Sequence, residues 1–242
     1  MRFKLGRKAV KTDPRTLRLE NYLSTALVPP ASMDWTKGIT SWGMMDNDTY
    51  GCCVIAGVGH AVQVWSANDT SEITEPDKQI LEQYGYWCGF NPNDAAATDN
   101  GCIELDVLNR WKKYTFCGKQ LKAFVSVAPS NMTEIKNAIA LFGGVFIGLS
   151  VPNYVMNSLT TAGSTWGIQP DDGIAGGHCV YVVGYDASTL TFISWGGVYK
   201  MTWAFWNKYV DECYCLLGQN WVEGKSPTGL NLTQLEADLA AI

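Results

Sequence analysis

Eleven consecutive residues, Cys52–Val62 (CCVIAGVGHAV), carry no charge and a single polar side chain, His60. A run this apolar, built from residues this small, suits a helix packed on nearly all sides, so the rest of the chain has to wrap around it. The turn-rich stretch Asp46–Gly51 comes immediately before it and places Cys53 at or near the helix N-terminus. With 47% hydrophobic and 17% charged residues over 242 positions, the chain has enough apolar material for that shell, as one large domain or two packed lobes.

The remaining pattern changes character along the chain. Glu75–Gly85 and Leu105–Tyr114 have helical spacing around a loop at 91–101, and Asn131–Glu134 gives a polar start to a helix over 135–142. Strands are then expected at 145–151, 178–185, 190–195 and 200–203, divided by Asp186-Ala187-Ser188 and Gly196-Gly197. These runs predict an α+β fold, with a helical lobe over about 33–125 and a β-rich lobe over about 126–224. Val28-Pro29-Pro30 stiffens the exit from a segment spanning 1–32. At the other end, 225–242 carries a short helix, with Asn231 or Thr233 as its cap and Leu232, Leu235 and Leu239 on one face.

Charge is unevenly placed. Residues 1–18 hold seven Lys and Arg against Asp13 alone, a net of +6, while the other residues are left at −11 within a total of −5. Such an arm docks on acidic protein, on its own body or on nucleic acid, or stays solvated. It has few apolar positions, so it is expected to extend away from the body and reach a neighbouring chain in an assembly. No window offers the roughly 18 apolar residues of a membrane span, and Met1–Lys11 has no continuous apolar core of a signal peptide. The expectation is a soluble, unexported protein of the cytoplasm, or of a virion if phage-encoded, without membrane partners. Its eight cysteines are then mostly free thiols. Cys213-Tyr-Cys215 lacks zinc-knuckle spacing and neither histidine is near it, so no metal or other cofactor is expected.

A cysteine attacks a carbonyl as thiolate, and a helix N-terminus with a nearby imidazolium favours that anion. Only two histidines exist. His60 lies two helical turns, about 10 Å, along the helix from Cys53, too far to act on it, which leaves His178 as the base. The two are expected to approach within hydrogen-bonding range or slightly beyond, with Cys52 turned away and buried.

Asp34-Trp35, then Asn47 through Gly51-Cys52-Cys53, then Gly177-His178-Cys179 through Gly184-Tyr185, then Ser194-Trp195-Gly196 resemble, in order and spacing, the landmarks of papain-like cysteine peptidases. The resemblance covers roughly Met33 to Glu223, and the Asn-Asp-x-x-Gly-x-Cys form is similar to a divergent bacterial and bacteriophage branch. It implies a two-lobe fold with a barrel-like β lobe, Cys53 as nucleophile, His178 as general base and acid, and Asn47 as the oxyanion donor. Trp195 and Ser194 are supporting residues, and peptides or proteins are the substrates. Four positions depart from the family pattern, one of them Asn47, which stands where the family has a glutamine. Ile193 stands where the family has the asparagine that orients the imidazole, Val54 replaces a tryptophan, and Tyr50 replaces a cysteine, which leaves Cys102 without its family partner. Two functions follow: a thiol amide hydrolase of reduced activity, or a catalytically degenerate scaffold such as a phage capsid or decoration component.

Overall fold

The computed structural model describes residues 3–24, 26–69, 71–218 and 229–241. One sheet runs through it. Its strands are β1 (Met33–Asp34), β2 (Leu121–Ser126), β3 (Val145–Pro152), β4 (Thr165–Trp166), β5 (Ile174–Tyr185), β6 (Thr189–Ser194), β7 (Gly197–Thr202) and β8 (Val210–Gly218). They lie in the order β2-β8-β3-β5-β6-β7-β4, with β1 paired to β5. Around the sheet pack α1 (Cys53–Asp69), α2 (Asp77–Cys88), α3 (Ala95–Thr98), α4 (Glu104–Lys113), α5 (Met132–Phe142), α6 (Asn153–Ser158), α7 (Trp203–Tyr209) and α8 (Leu232–Ala240). None of these helices is long and apolar enough to cross a membrane.

The central strands are apolar on both faces because both faces are covered. On β5, Val180 and Val182 join the core beneath α5, while Cys179, Tyr181 and Val183 join the core that holds α1, α2 and α4. Helix α1 is buried along Cys53–Trp65, as its composition requires. Gly57 lets it lie against the sheet, since a Cβ there would come within 2.8 Å of Phe146 Cε2. The helices and strands read from the sequence are present, while β1, β2, β4, β8, α6 and α7 were not read there, α3 lies within the expected loop at 91–101, and Trp203 opens α7 instead of ending a strand. Strand β2 belongs to the sheet although it begins before the expected lobe boundary at 125/126. The boundary expected at 224/225 lies outside the described residues.

Both chain ends fold onto the body. Leu19 and Tyr22 are buried, and Phe3, Leu5 and Leu17 pack against the same core, so the segment expected to project outward lines the protein instead. Asn231 caps α8 by accepting from the Gln234 N–H at 3.1 Å. That helix buries Leu235, receives the Tyr22 hydroxyl on Asp238 at 2.8 Å and pairs Glu236 with Lys122.

Six cysteines are free, and Cys102 bonds to Cys88 across a separation of 14 residues. Most thiols are free, as expected, and Cys102, without its family partner at position 50, pairs with Cys88 instead. Tyr50 rests on Phe90 beside this bridge, with ring centroids 4.9 Å apart. Because the bridge closes a loop of this size, Cys88→Ser should cost about 3 kcal/mol. For a chain this long that corresponds to a melting temperature lower by about 6–12 °C, readable by calorimetry.

Candidate active site

Cys53 is the first residue of α1 and is fully buried. The turn before it is pinned from the side. Asp99 Oδ1 accepts from the Gly51 N–H and from the Tyr84 hydroxyl, both at 2.9 Å, and that hydroxyl in turn accepts from the Gly101 N–H at 2.7 Å. Cys52 faces the other way, its thiol donating to the Met45 carbonyl at 3.4 Å, and burial raises its pKa well above the ordinary value. Cys52 is thus buried and turned to Met45, as expected of it.

His178 is buried on β5 with its Nε2 2.7 Å from Ser194 Oγ. Its ring stacks on Trp195, with centroids 4.7 Å apart and planes 17° apart, and Trp195 stacks in turn on Phe3 at 4.7 Å. Ile193 does not leave the imidazole unheld, contrary to the sequence reading. Successive strand residues face opposite sides, so Ile193 fills the core beside Tyr181 while Ser194 turns to the histidine. The ring nitrogen engaged is Nε2; Nδ1 has no hydrogen-bond partner, so no hydrogen bond joins it to Cys53. The next residue, Cys179, shares the core cluster of Cys53, and its backbone favours the Cys53 thiolate. His60 is used structurally, its Nε2 lying 3.0 Å from the Gly43 carbonyl. Asn47 is buried in a tight turn in which Met45 and Asp46 take left-handed φ of 59° and 51°, and its Oδ1 has no partner.

The sequence reading missed what fills the cleft. Residues 3–8 run through it as an extended strip. The Arg7 N–H donates to the Gly177 carbonyl at 3.0 Å, the Lys8 N–H donates to the Cys102 carbonyl at 2.8 Å, and the Cys102 N–H donates to the Gly6 carbonyl at 2.8 Å. Glycines make the channel: a Cβ on Gly6 would sit 1.8 Å from the Gly51 oxygen, one on Gly101 1.9 Å from the Gly6 oxygen, and one on Gly177 2.4 Å from the Arg7 oxygen. Gly6 itself packs on the backbone of Gly51, two residues before Cys53. Burial pushes the Cys53 thiol up to about 12, although the N–H groups of Cys179 and Gly6 and the charge of Arg7 favour the thiolate. Burial likewise lowers His178 to about 3, with a smaller contribution from His60. The site is thus held as thiol and neutral imidazole by the exclusion of water.

Arg7 is the anchor. Its Nε lies 2.9 Å and its Nη2 2.7 Å from Glu212 Oε1, and its Nη1 is 3.1 Å from Asp211 Oδ2, with Nη2 also on Asp211 Oδ1. Glu104 Oε1 is 3.5 Å from Nε. The acidic partner of the basic arm is therefore the chain's own body; Lys11 adds a second contact, to Asp106 at 2.6 Å. Sequence signals for this pocket existed in Asp211-Glu212 and in Gly148 within an otherwise bulky strand, but only the fold brings them together.

No family model and no curated protein matches the chain. Solved structures do. Xylellain, a cysteine protease from Xylella fastidiosa, matches with a TM-score of 0.67 at 15% identity, over 89% of this chain and 96% of its own. ProCathepsin B S9 from Trypanosoma congolense gives 0.62 at 8% identity over 89% and 86%, and digestive procathepsin L 3 of Tenebrio molitor gives 0.58 at 12% over 84% and 76%. This chain has the fold of papain-like cysteine proteases.

Because a Cβ on residue 6 collides with backbone rather than with a flexible side chain, Gly6→Ala should unseat the strip. Iodoacetamide labelling of Cys53, followed by peptide mass mapping, should then be faster by about tenfold or more, the effect of losing 1.4 kcal/mol of protection. Cys52 labelling should not change.

Proposed function

We propose that the chain is a papain-like cysteine peptidase held latent by its own N-terminal segment. The observation that carries this reading is the way the strip lies on Cys53. A peptide backbone occupies the cleft, with its Gly6 carbonyl tied to the Cys102 N–H and its Arg7 N–H tied to the Gly177 carbonyl, so a second peptide cannot take the same place beside Cys53. Two of the similar structures are named as pro-forms, a procathepsin B and a procathepsin L.

With the strip withdrawn, water re-enters, the desolvation that holds Cys53 up and His178 down is relieved, and the α1 N-terminus favours the thiolate. Ser194 fixes the imidazole by accepting from Nε2–H, which leaves the Nδ1 lone pair to take the thiol proton. The thiolate attacks the peptide carbonyl, and the oxyanion is met by the Cys53 N–H and the Asn47 side-chain amide. His178 then returns its proton to the leaving amine. Water, activated by the same imidazole, hydrolyses the thioester and frees Cys53. The Cys102 backbone and the Gly177 carbonyl would hold an extended substrate by backbone hydrogen bonds, as they hold the strip. The competing reading, a degenerate scaffold in a virion or other assembly, rests on Ile193, and the Ser194 contact supplies what Ile193 cannot.

An epoxysuccinyl thiol-peptidase inhibitor should label Cys53 in the Gly6→Ala protein and leave Cys53→Ala unlabelled. Peptide hydrolysis should vanish in Cys53→Ala and His178→Ala, while Ser194→Ala should lose roughly 10- to 100-fold in kcat, the scale of a misdirected general base. Absence of both labelling and hydrolysis in the opened protein would overturn the peptidase reading.

A further inference from the structure

Gly6 lies against the turn that leads into Cys53, and the adjacent residue sends its side chain into an acidic pocket walled by buried Glu104 and Glu212 and by the more exposed Asp211. The pocket is built for that side chain. Strand β8 pairs Gly148 with Glu212 and Leu149 with Val210, so Asp211 is an extra residue in the ladder. A bulge of this kind lets two consecutive side chains turn the same way, and here both reach the Arg7 guanidinium. Glu212 is further held by the Tyr214 hydroxyl at 3.1 Å. Opposite, Glu104 opens α4 fully buried, and neither of its carboxylate oxygens has a hydrogen-bond partner. The floor is Gly148, where a Cβ would come within 2.3 Å of Arg7 Nε and 2.7 Å of Glu104 Oε1. Any other residue at 148 would fill the space that the guanidinium takes.

We infer that this pocket is the specificity site of the peptidase and that it selects substrates with arginine next to the residue whose carbonyl Cys53 attacks. The inference rests on the peptidase reading, because Arg7 is then a stand-in for the substrate side chain. Withdrawal of the arm leaves the buried Glu104 and Glu212 facing each other beside the exposed Asp211 without a cation, and buried carboxylates without a counter-charge are strongly unfavourable. An apolar side chain would leave them so. A guanidinium restores the compensation, with Nε and Nη2 on Glu212 and Nη1 and Nη2 on Asp211, a fork that the single nitrogen of lysine cannot reproduce. Burial works against the charge of Arg7, but Glu104, Asp211 and Glu212 more than offset it and leave its pKa raised. Burial and the charge of Glu212 push the Glu104 carboxyl well up, against Arg7 and the Cys179 thiol, so this acid lacks a sufficient partner even with the arm in place.

Two measurements on the full chain test the pocket. The first uses the arm as ligand: Cys53 alkylation is followed in Arg7→Lys, Arg7→Met and Arg7→Glu. Protection should fall in the order Arg, Lys, Met, Glu, with Arg7→Met losing about tenfold or more, as expected for charge-assisted bonds lost from a buried site. Equal protection in Arg7→Met and the unaltered protein would overturn the inference. In the strip Arg7 lies on the carboxyl side of Gly6, so a substrate threading the cleft in the opposite direction brings its arginine to the pocket from the amino side of the attacked residue. In the second, the Gly6→Ala protein is therefore given acyl-Arg-Gly, acyl-Leu-Gly and acyl-Glu-Gly aminocoumarin peptides. The Arg peptide should be preferred over the Leu peptide by about a hundredfold in kcat/KM, a ratio that Glu212→Gln and, independently, Gly148→Ala should collapse. Hydrolysis without preference for Arg would remove the specificity site and leave the peptidase intact. If no peptide is hydrolysed but the alkylation order holds, the pocket stands as an arginine-binding site and the peptidase reading fails.

Discussion

The contact between the Arg7 guanidinium and the carboxylates of Glu104, Asp211 and Glu212 fixes the state in which this molecule rests. A buried ion group of this kind is not a large source of net stability, because desolvating the charges cancels much of their attraction. Its weight lies in the penalty for separating it. Once the three carboxylates are placed by α4 and by the bulge in β8, the arm cannot leave without exposing them to each other, so a short extended strip is held in the cleft with the firmness of a core element. Everything else about the site follows from that occupancy. The strip covers Cys53, its Phe3 closes over Trp195, and Trp195 closes over His178.

Occupancy also explains the electrostatics. The candidate nucleophile and base sit where a helix N-terminus and backbone N–H groups favour charge, yet burial overrides them and keeps both neutral. The balance is set by water access rather than by distant residues, so opening the cleft changes the chemistry of the pair without any rearrangement of the sheet. Ser194 matters here because it holds the imidazole at Nε2. It replaces a contact that the sequence pattern had assigned to the neighbouring position, now held by a core isoleucine.

Much of the scaffold was legible in the sequence. The uncharged run over 52–62 demanded a buried helix, the apolar runs over 145–151 and 178–185 demanded central strands, and the burial of Cys52 followed from helical geometry. The arm was not legible in the same way. Its basic composition suggested a projecting tail because counting apolar residues ignores what a few of them meet: Phe3, Leu5, Leu17 and Leu19 each find a place against the core, and Arg7 finds carboxylates from segments about 100 and 200 residues distant in sequence. The Cys88–Cys102 bridge and the Ser194 contact were hidden for the same reason. Each depends on which of two adjacent or equally spaced residues faces inward, and that is decided by packing rather than by local pattern.

The most direct test of latency by occupancy is the pH titration of thiolate absorbance at 240 nm, comparing the unaltered chain, Gly6→Ala and Gly6→Ala with His178→Ala, each read against its Cys53→Ala counterpart. The account predicts no Cys53 thiolate in the unaltered chain until the pH approaches about 12. In Gly6→Ala a Cys53 thiolate should be present at neutral pH and should largely disappear when His178 is also removed. A Cys53 thiolate at neutral pH in the unaltered chain, or an identical titration in all three proteins, would contradict it.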